Sequence, residues 1–351
     1  MMEISMKYIK LVFLLFIGVF LLPGYSFASY SCSPLSGSIS VNLNTITVQR
    51  DTAVGTLLAT ITGPNASAYS CYVSNPSSGT TLVLGVQSIL GYYGHMDGIS
   101  VYRTNVPGIG IGIGGAGSMN GFNYTTYVGD GTSSWYGSDW NSVVVTATYD
   151  SKTISSYISP IIKVYKIDDA SSGVISGQVG AVIMGMSNGF NTSYVSSWAQ
   201  DIPLMVTGTI NVVACSIKTP TLNFPIGDVL ASKFGSTVGT TPSDAQNTQN
   251  LGLDCDPQAN INVSLSGTQN PDVGTTSVLA LTGQGDAGVA QGVGVQIVYN
   301  GSPLTLNNRI VLKKSAGGQE TFPLTARYYQ TRTSVTTGTA NTSATLNLTY
   351  Q

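Results

Sequence analysis

Apolar side chains in this chain recur at every second position rather than at the 3.6-residue spacing of a helix, and that pattern confines it to β-structure. Ile39, Val41 and Leu43 alternate with polar residues, as do Ile261, Val263 and Leu265. Ile158 to Ile167 interleaves Ile, Lys, Val and Tyr, and Val143 to Thr148 adds a clear strand. Turn residues such as Pro64-Asn65 and Asn75-Pro76 separate the runs. Composition agrees, with 41 glycines and only 9% charged residues. β-Branched and aromatic side chains fit a pleated surface, and glycine serves the turns. The sequence predicts an all-β fold built as two β-sandwich domains.

Lys7 and Lys10 precede an apolar run from Leu11 to Leu22, which Pro23-Gly24 break before Ser26-Phe27-Ala28 offers a cleavage point. Residues 1–28 therefore read as a secretory signal, since the run falls short of the roughly 20 residues that span a bilayer. In an oxidising compartment Cys32, Cys71, Cys215 and Cys255 are expected in disulfides. Three pairings are open; pairing within each half follows if the halves fold separately. The spacings are too long for a zinc site and His95 is the only histidine, so neither a metal nor a cofactor is expected. A net charge of −2 without a basic patch argues against nucleic acid as a partner. We place a first domain at residues 29–205, a linker at 206–209 and a second domain at 210–351.

Two segments of the first domain combine aromatic faces with carboxylates and amides on loops, the chemistry that holds sugars. One contains Tyr92, Tyr93, His95 and Asp97. The other contains Tyr127, Asp130, Trp135, Tyr136, Asp139, Trp140 and Asn141, and is favoured because it joins two tryptophans to two carboxylates. Either tryptophan could instead plug the core. Gly110 to Gly115 matches a GxGxxG pattern, but no helical run follows, so a glycine-rich strand or loop is expected in place of a phosphate cradle. A hydrolytic triad would have to use His95, and nothing in the spacing of Asp130 and Asp139 demands a catalytic pair. A binding protein is expected rather than an enzyme.

Near the C-terminus, Ala340, Thr342, Ala344, Leu346, Leu348 and Tyr350 share one face of a strand predicted over 339–350. Residues 210–351 as a whole resemble the pilin domain of chaperone–usher fimbriae. The resemblance rests on Val213-Ala214-Cys215-Ser216 with Cys255, Pro225-Ile226-Gly227-Asp228-Val229, Ala326-Arg327-Tyr328-Tyr329, Gly338-Thr339-Ala340, and the ending Leu346 to Gln351. It implies an incomplete immunoglobulin-like sandwich lacking its last strand, with a groove marked by Gly338, Ala340, Ala344, Leu346, Leu348 and Tyr350. It also implies three partners: a periplasmic chaperone, an outer-membrane usher and an adjacent fimbrial subunit that donates an N-terminal strand.

A whole domain ahead of residue 210 leaves no free strand to give, so the resemblance extends to two-domain tip adhesins of type 1-like fimbriae. On that basis the first domain is lectin-like, with Cys32 bridged to Cys71. The receptor is a host glycan or, alternatively, a matrix protein, or the chain is a minor tip subunit with no defined receptor. The place of action is the fimbrial tip at the cell surface.

Overall fold

The computed structural model describes residues 29–74, 81–130, 141–148, 153–187 and 195–351, in which strands and turns account for nearly everything. The expected signal at 1–28 lies outside the described residues. Two sheets make the first unit. One has eight strands, with β1 (Ser29–Pro34), β4 (Ala66–Ser74), β11 (Thr153–Lys166), β8 (Ile109–Met119), β7 (Ile99–Arg103) and β6 (Tyr92–Met96) in order. β3 (Leu57–Thr62) also pairs with β11, and β9 (Phe122–Tyr127) with β8. The other runs β10 (Asn141–Thr148), β5 (Thr81–Ser88), β12 (Gly173–Ser187), β14 (Ile202–Val213) and β2 (Ile39–Gln49), with β13 (Val195–Trp198) beside β12. Their inner faces meet in one core that includes Val41, Leu84, Ile111, Ile162, Val182 and Val206.

The tract from Gly108 to Gly117 is ordered as strand β8, and its alternation has a use on both faces. Ile109, Ile111 and Ile113 point into the core and are fully buried. Gly110, Gly112 and Gly114 point outward, where a second apolar layer lies directly on the backbone. A Cβ at Gly114 would stand 2.5 Å from a ring carbon of Tyr127, and one at Gly112 would stand 2.5 Å from Ile99. Glycine is required there because that layer leaves no room for a side chain.

The second unit is smaller. One sheet runs β15 (Cys215–Ile217), β16 (Gln246–Cys255), β21 (Gly318–Gln330), β18 (Val293–Tyr299), β19 (Ser302–Pro303). The facing sheet has three strands, β20 (Arg309–Lys314), β17 (Asn260–Ser266) and β22 (Thr345–Tyr350), so β22 is an edge strand. Disulfides Cys32–Cys71 and Cys215–Cys255 each join residues directly opposite one another, β1 to β4 and β15 to β16. One bridge thus belongs to each unit.

Three details differ from the sequence reading. The linker expected at 206–209 is strand: Val206, Thr207 and Thr209 sit in mid-β14, paired to β12 and β2. The chain leaves the first unit only at Ala214, because the period-two pattern of β14 continues to Val213. The last strand begins at Thr345 rather than Thr339. Residues 339–344 are held instead by loop contacts, among them Thr282 N–H donating to Asn341 O and Ala290 N–H donating to Thr339 O. Finally, Tyr92–Met96 forms a strand hairpin with β7, where a Tyr/Gly loop was expected.

Candidate functional site

Two features stand out: a groove in the second unit and an aromatic face on the first. The groove has a volume of about 1080 Å³ and opens beside β22. Leu251, Leu265, Val293, Val295 and Ile297 form its apolar floor, and Leu346 and Leu348 form one wall. Leu346 and Leu348 pair with Leu265 and Val263 and face inward with them. Their partners are 3% and 1% exposed, yet Leu346 and Leu348 themselves are only half-buried. An inward-facing leucine normally has a neighbour on both sides. Here the neighbour on the far side of β22 is open groove. The opposite wall is the stretch from Thr219 to Val229, which forms no strand pairing while Phe224, Ile226 and Val229 pack partly on the core.

Of the residues expected to mark the groove, Gly338, Ala340, Ala344, Leu346 and Leu348 line it. Tyr350 does not. It is 1% exposed, its hydroxyl donates to Cys215 O at 3.2 Å, and Arg50 lies 4.7 Å over its ring. Gly338 is explained by close approach, since a Cβ there would fall 2.5 Å from the backbone nitrogen of Ala290. Chemically, the groove offers a free strand edge above apolar pockets. That combination matches the chemistry of an extended peptide whose alternate side chains are apolar.

The aromatic face lies on the outside of the eight-stranded sheet, over the glycines of β8. Ile99, Val101, Tyr165 and Ile167 form a small buried layer there, with Tyr93, Met96 and Tyr127 packed against it. The sequence candidates Tyr93 and Asp97 arrive on the β6–β7 hairpin, and Tyr127 and Asp130 at the end of β9, whereas Tyr92 pairs with Tyr102 of the inner core, their ring centroids 6.2 Å apart, and does not join this face. The glycines of β8 are what let the two segments meet. Arg103 stands 4.8 Å over the Tyr93 ring and Lys163 Nζ 4.5 Å over the Tyr127 ring. Tyr93 donates to Ile167 O at 2.8 Å, and Tyr165 donates to Asp97 Oδ2 at 3.1 Å. Burial, then the Asp97 carboxylate, push the Tyr165 hydroxyl far above its ordinary range, so it stays protonated and keeps donating. Burial also raises Tyr127. Asp130 is held as an acceptor by Tyr127 N–H at 2.9 Å. His95 Nδ1 shares a 2.5 Å contact with the Tyr92 hydroxyl.

Arg103, Lys163 and Tyr165 were missed by sequence reasoning. The signal for the last two was present, because residues two apart on a strand share a face and Lys163 and Tyr165 sit so in β11. Trp135, Tyr136, Asp139 and Trp140 lie outside the described residues. Asn141 opens β10 opposite Gln87, in the other sheet. Among the described residues, no three His, Cys, Asp or Glu side chains gather to hold a metal ion.

The family model for fimbrial proteins matches residues 204–351, which takes in the groove and all but the first two residues of β14. A fimbria adhesin protein of Klebsiella pneumoniae is 26% identical over 96% of this chain and 98% of its own length. Long polar fimbria protein A of Salmonella typhimurium is 30% identical over 46% of this chain and 90% of its own length. The CupB6 tip adhesin of Pseudomonas aeruginosa covers 92% of this chain and 93% of its own at 15% identity, with a TM-score of 0.35, too low to bear on the site. The chain belongs to the fimbrial proteins. Within that class it is adhesin-like, matching an adhesin over nearly its whole length, and its relatives are adhesive and structural proteins rather than enzymes.

Proposed function

We propose that the protein is the tip adhesin of a fimbria. The second unit accepts an extended strand from the adjacent fimbrial subunit, after a periplasmic chaperone has filled the same groove on the way to the outer-membrane usher. The observation that carries this reading is the incomplete burial of Leu346 and Leu348 on an edge strand above the 1080 Å³ groove. Adding one strand would satisfy the free backbone edge and bury both leucines, at roughly 25 cal/mol per Å² of apolar surface removed from water. Support for a terminal position comes from β14. The residues ahead of the second unit are paired on both sides within the first, so they are not free to enter another subunit's groove.

The receptor is contacted by the aromatic face of the first unit, with Tyr93, Asp97, Tyr127 and Asp130 joined by Arg103 and Lys163. Tyrosine faces flanked by charged and hydrogen-bonding groups on a rigid sheet suit a glycan, whose C–H patches stack while its hydroxyls find polar partners. The test is a glycan array probed with the full chain stabilised by its chaperone, beside the Arg103→Ala and Tyr93→Ala variants. Discrete sugar signals that fall at least ten-fold in both variants support the reading. Binding only to immobilised matrix protein, unaffected by free sugars, contradicts the glycan assignment. Signals unchanged in both variants place the receptor elsewhere.

A further inference from the structure

We infer that the first unit caps the strand-accepting groove and so limits how long a strand the second unit can take. The inference rests on the strand-accepting reading and concerns its geometry. Asp51 N–H donates to Tyr350 O at 3.0 Å, and Tyr350 N–H donates to Asp51 Oδ2 at 2.9 Å. Backbone groups alternate between the two edges of a strand, so those of Leu346 and Leu348 point the same way as those of Tyr350. That direction is away from β17 and toward the groove. Tyr350 is therefore the last position on the free edge of β22, and a residue of the first unit already occupies it.

The segment that carries Asp51 is fixed by contacts on several sides. Lys166, 3% exposed, donates to the carbonyls of Arg50 and Thr52, both at 2.6 Å. Arg50 N–H donates to Val213 O at 3.1 Å, and its guanidinium both pairs with Asp51 at 2.9 Å and covers the Tyr350 ring. Gln49 bonds the backbone of Gln258 at 2.9 Å and of Asn260 at 2.8 Å, beside β17. The far end of the groove is closed within the second unit. Thr339 N–H donates to Gly288 O at 2.9 Å, and Thr339 O accepts from Ala290 at 3.0 Å. Ala340 O and Asn341 O already accept from the Tyr328 hydroxyl and Thr282 N–H, so the open backbone edge is short and ends at Leu348, although the groove lining continues back to Val335. The partner it fits is a short extended peptide with alternate apolar side chains.

Two readouts on the full chain test this. The first is amide exchange at Tyr350 by NMR in the wild type and in Asp51→Ala. We expect exchange to speed up at least ten-fold in the variant, and an unchanged rate overturns the cap. The second is affinity for alternating Thr–Val peptides of about nine and about thirteen residues, each with terminal lysines for solubility. We expect the two lengths to bind the wild type within about two-fold. A gain from length of about five-fold or more in the wild type overturns the cap while leaving strand acceptance intact. Peptides that bind neither protein, with Tyr350 exchange responding as expected, sink the strand-accepting reading and the length limit with it.

Discussion

Both units are β-sandwiches with one disulfide, yet their inner faces are finished differently. In the first, inward residues of interior strands are sealed: Ile109, Ile111, Ile158 and Val206 are fully buried between sheets of eight and six strands. In the second, sheets of five and three strands face each other, and the inward leucines of β22 are only partly buried. The residue types are alike, so hydrophobicity does not distinguish the units. What differs is whether each apolar position has a strand on both sides. A sealed sandwich can serve as a rigid platform for a binding face, whereas an unsealed one has a use for a strand from elsewhere.

The comparison breaks most easily at the groove. Leu348→Glu puts a charge where an incoming strand would bury it, which costs several kcal/mol without a partner. Peptide capture should fall by at least about 100-fold, read by titration calorimetry. Receptor binding by the first unit should be unchanged. Loss of both would mean that the units do not divide the work.

Removing a disulfide should come next. The bridges span 39 and 40 residues, so loop entropy alone predicts about 4 kcal/mol for each. Denaturant unfolding of Cys32→Ala/Cys71→Ala and Cys215→Ala/Cys255→Ala should show the first loss tolerated by a sealed core. The second should leave its unit unfolded unless a strand peptide is supplied.

A smaller effect is expected in β8. Gly114→Val must displace Tyr127, and overpacking of this kind costs about 1–3 kcal/mol. A lowered midpoint with reduced receptor binding would tie the aromatic face to the glycine row. An unchanged midpoint would show that the outer layer is loosely held.

The smallest effect concerns the contact between the units. Burial pushes the Asp51 carboxyl up, but hydrogen bonds from Arg50 and from Tyr350 N–H outweigh it, and the net shift is downward. A carboxyl lowered on folding stabilises the folded form above its unfolded value, near 3.9, and loses that contribution as pH falls through the folded value. Tyr350 exchange, corrected for its intrinsic pH dependence, should stay slow at neutral pH and rise only below about pH 4. A rise nearer pH 6 would point to another group.

Much of this was legible in the residues. Alternation gave the strand class, and the ending Leu346 to Tyr350 showed which side chains share a face. What sequence could not show depends on layers stacking in three dimensions. The tract from Gly108 to Gly117 reads as an oddity until an outer layer is seen lying on it. Val206 to Val213 alternates like any strand, and the linker expected at 206–209 falls inside it, so the chain leaves the first unit only at Ala214. Tyr350 carries the same alternation as Leu348 but ends under Arg50, because a loop some 300 residues earlier reaches it. Arg103 and Lys163 gained their meaning only once tyrosine rings were seen beneath them.

The central claim is that the second unit is short of a strand, and amide exchange at Leu346 and Leu348 tests it most directly. In the full chain alone these amides should exchange quickly, and adding an alternating Thr–Val peptide of about nine residues should slow them at least about 100-fold. Slow exchange at both positions in a peptide-free monomer would contradict the claim.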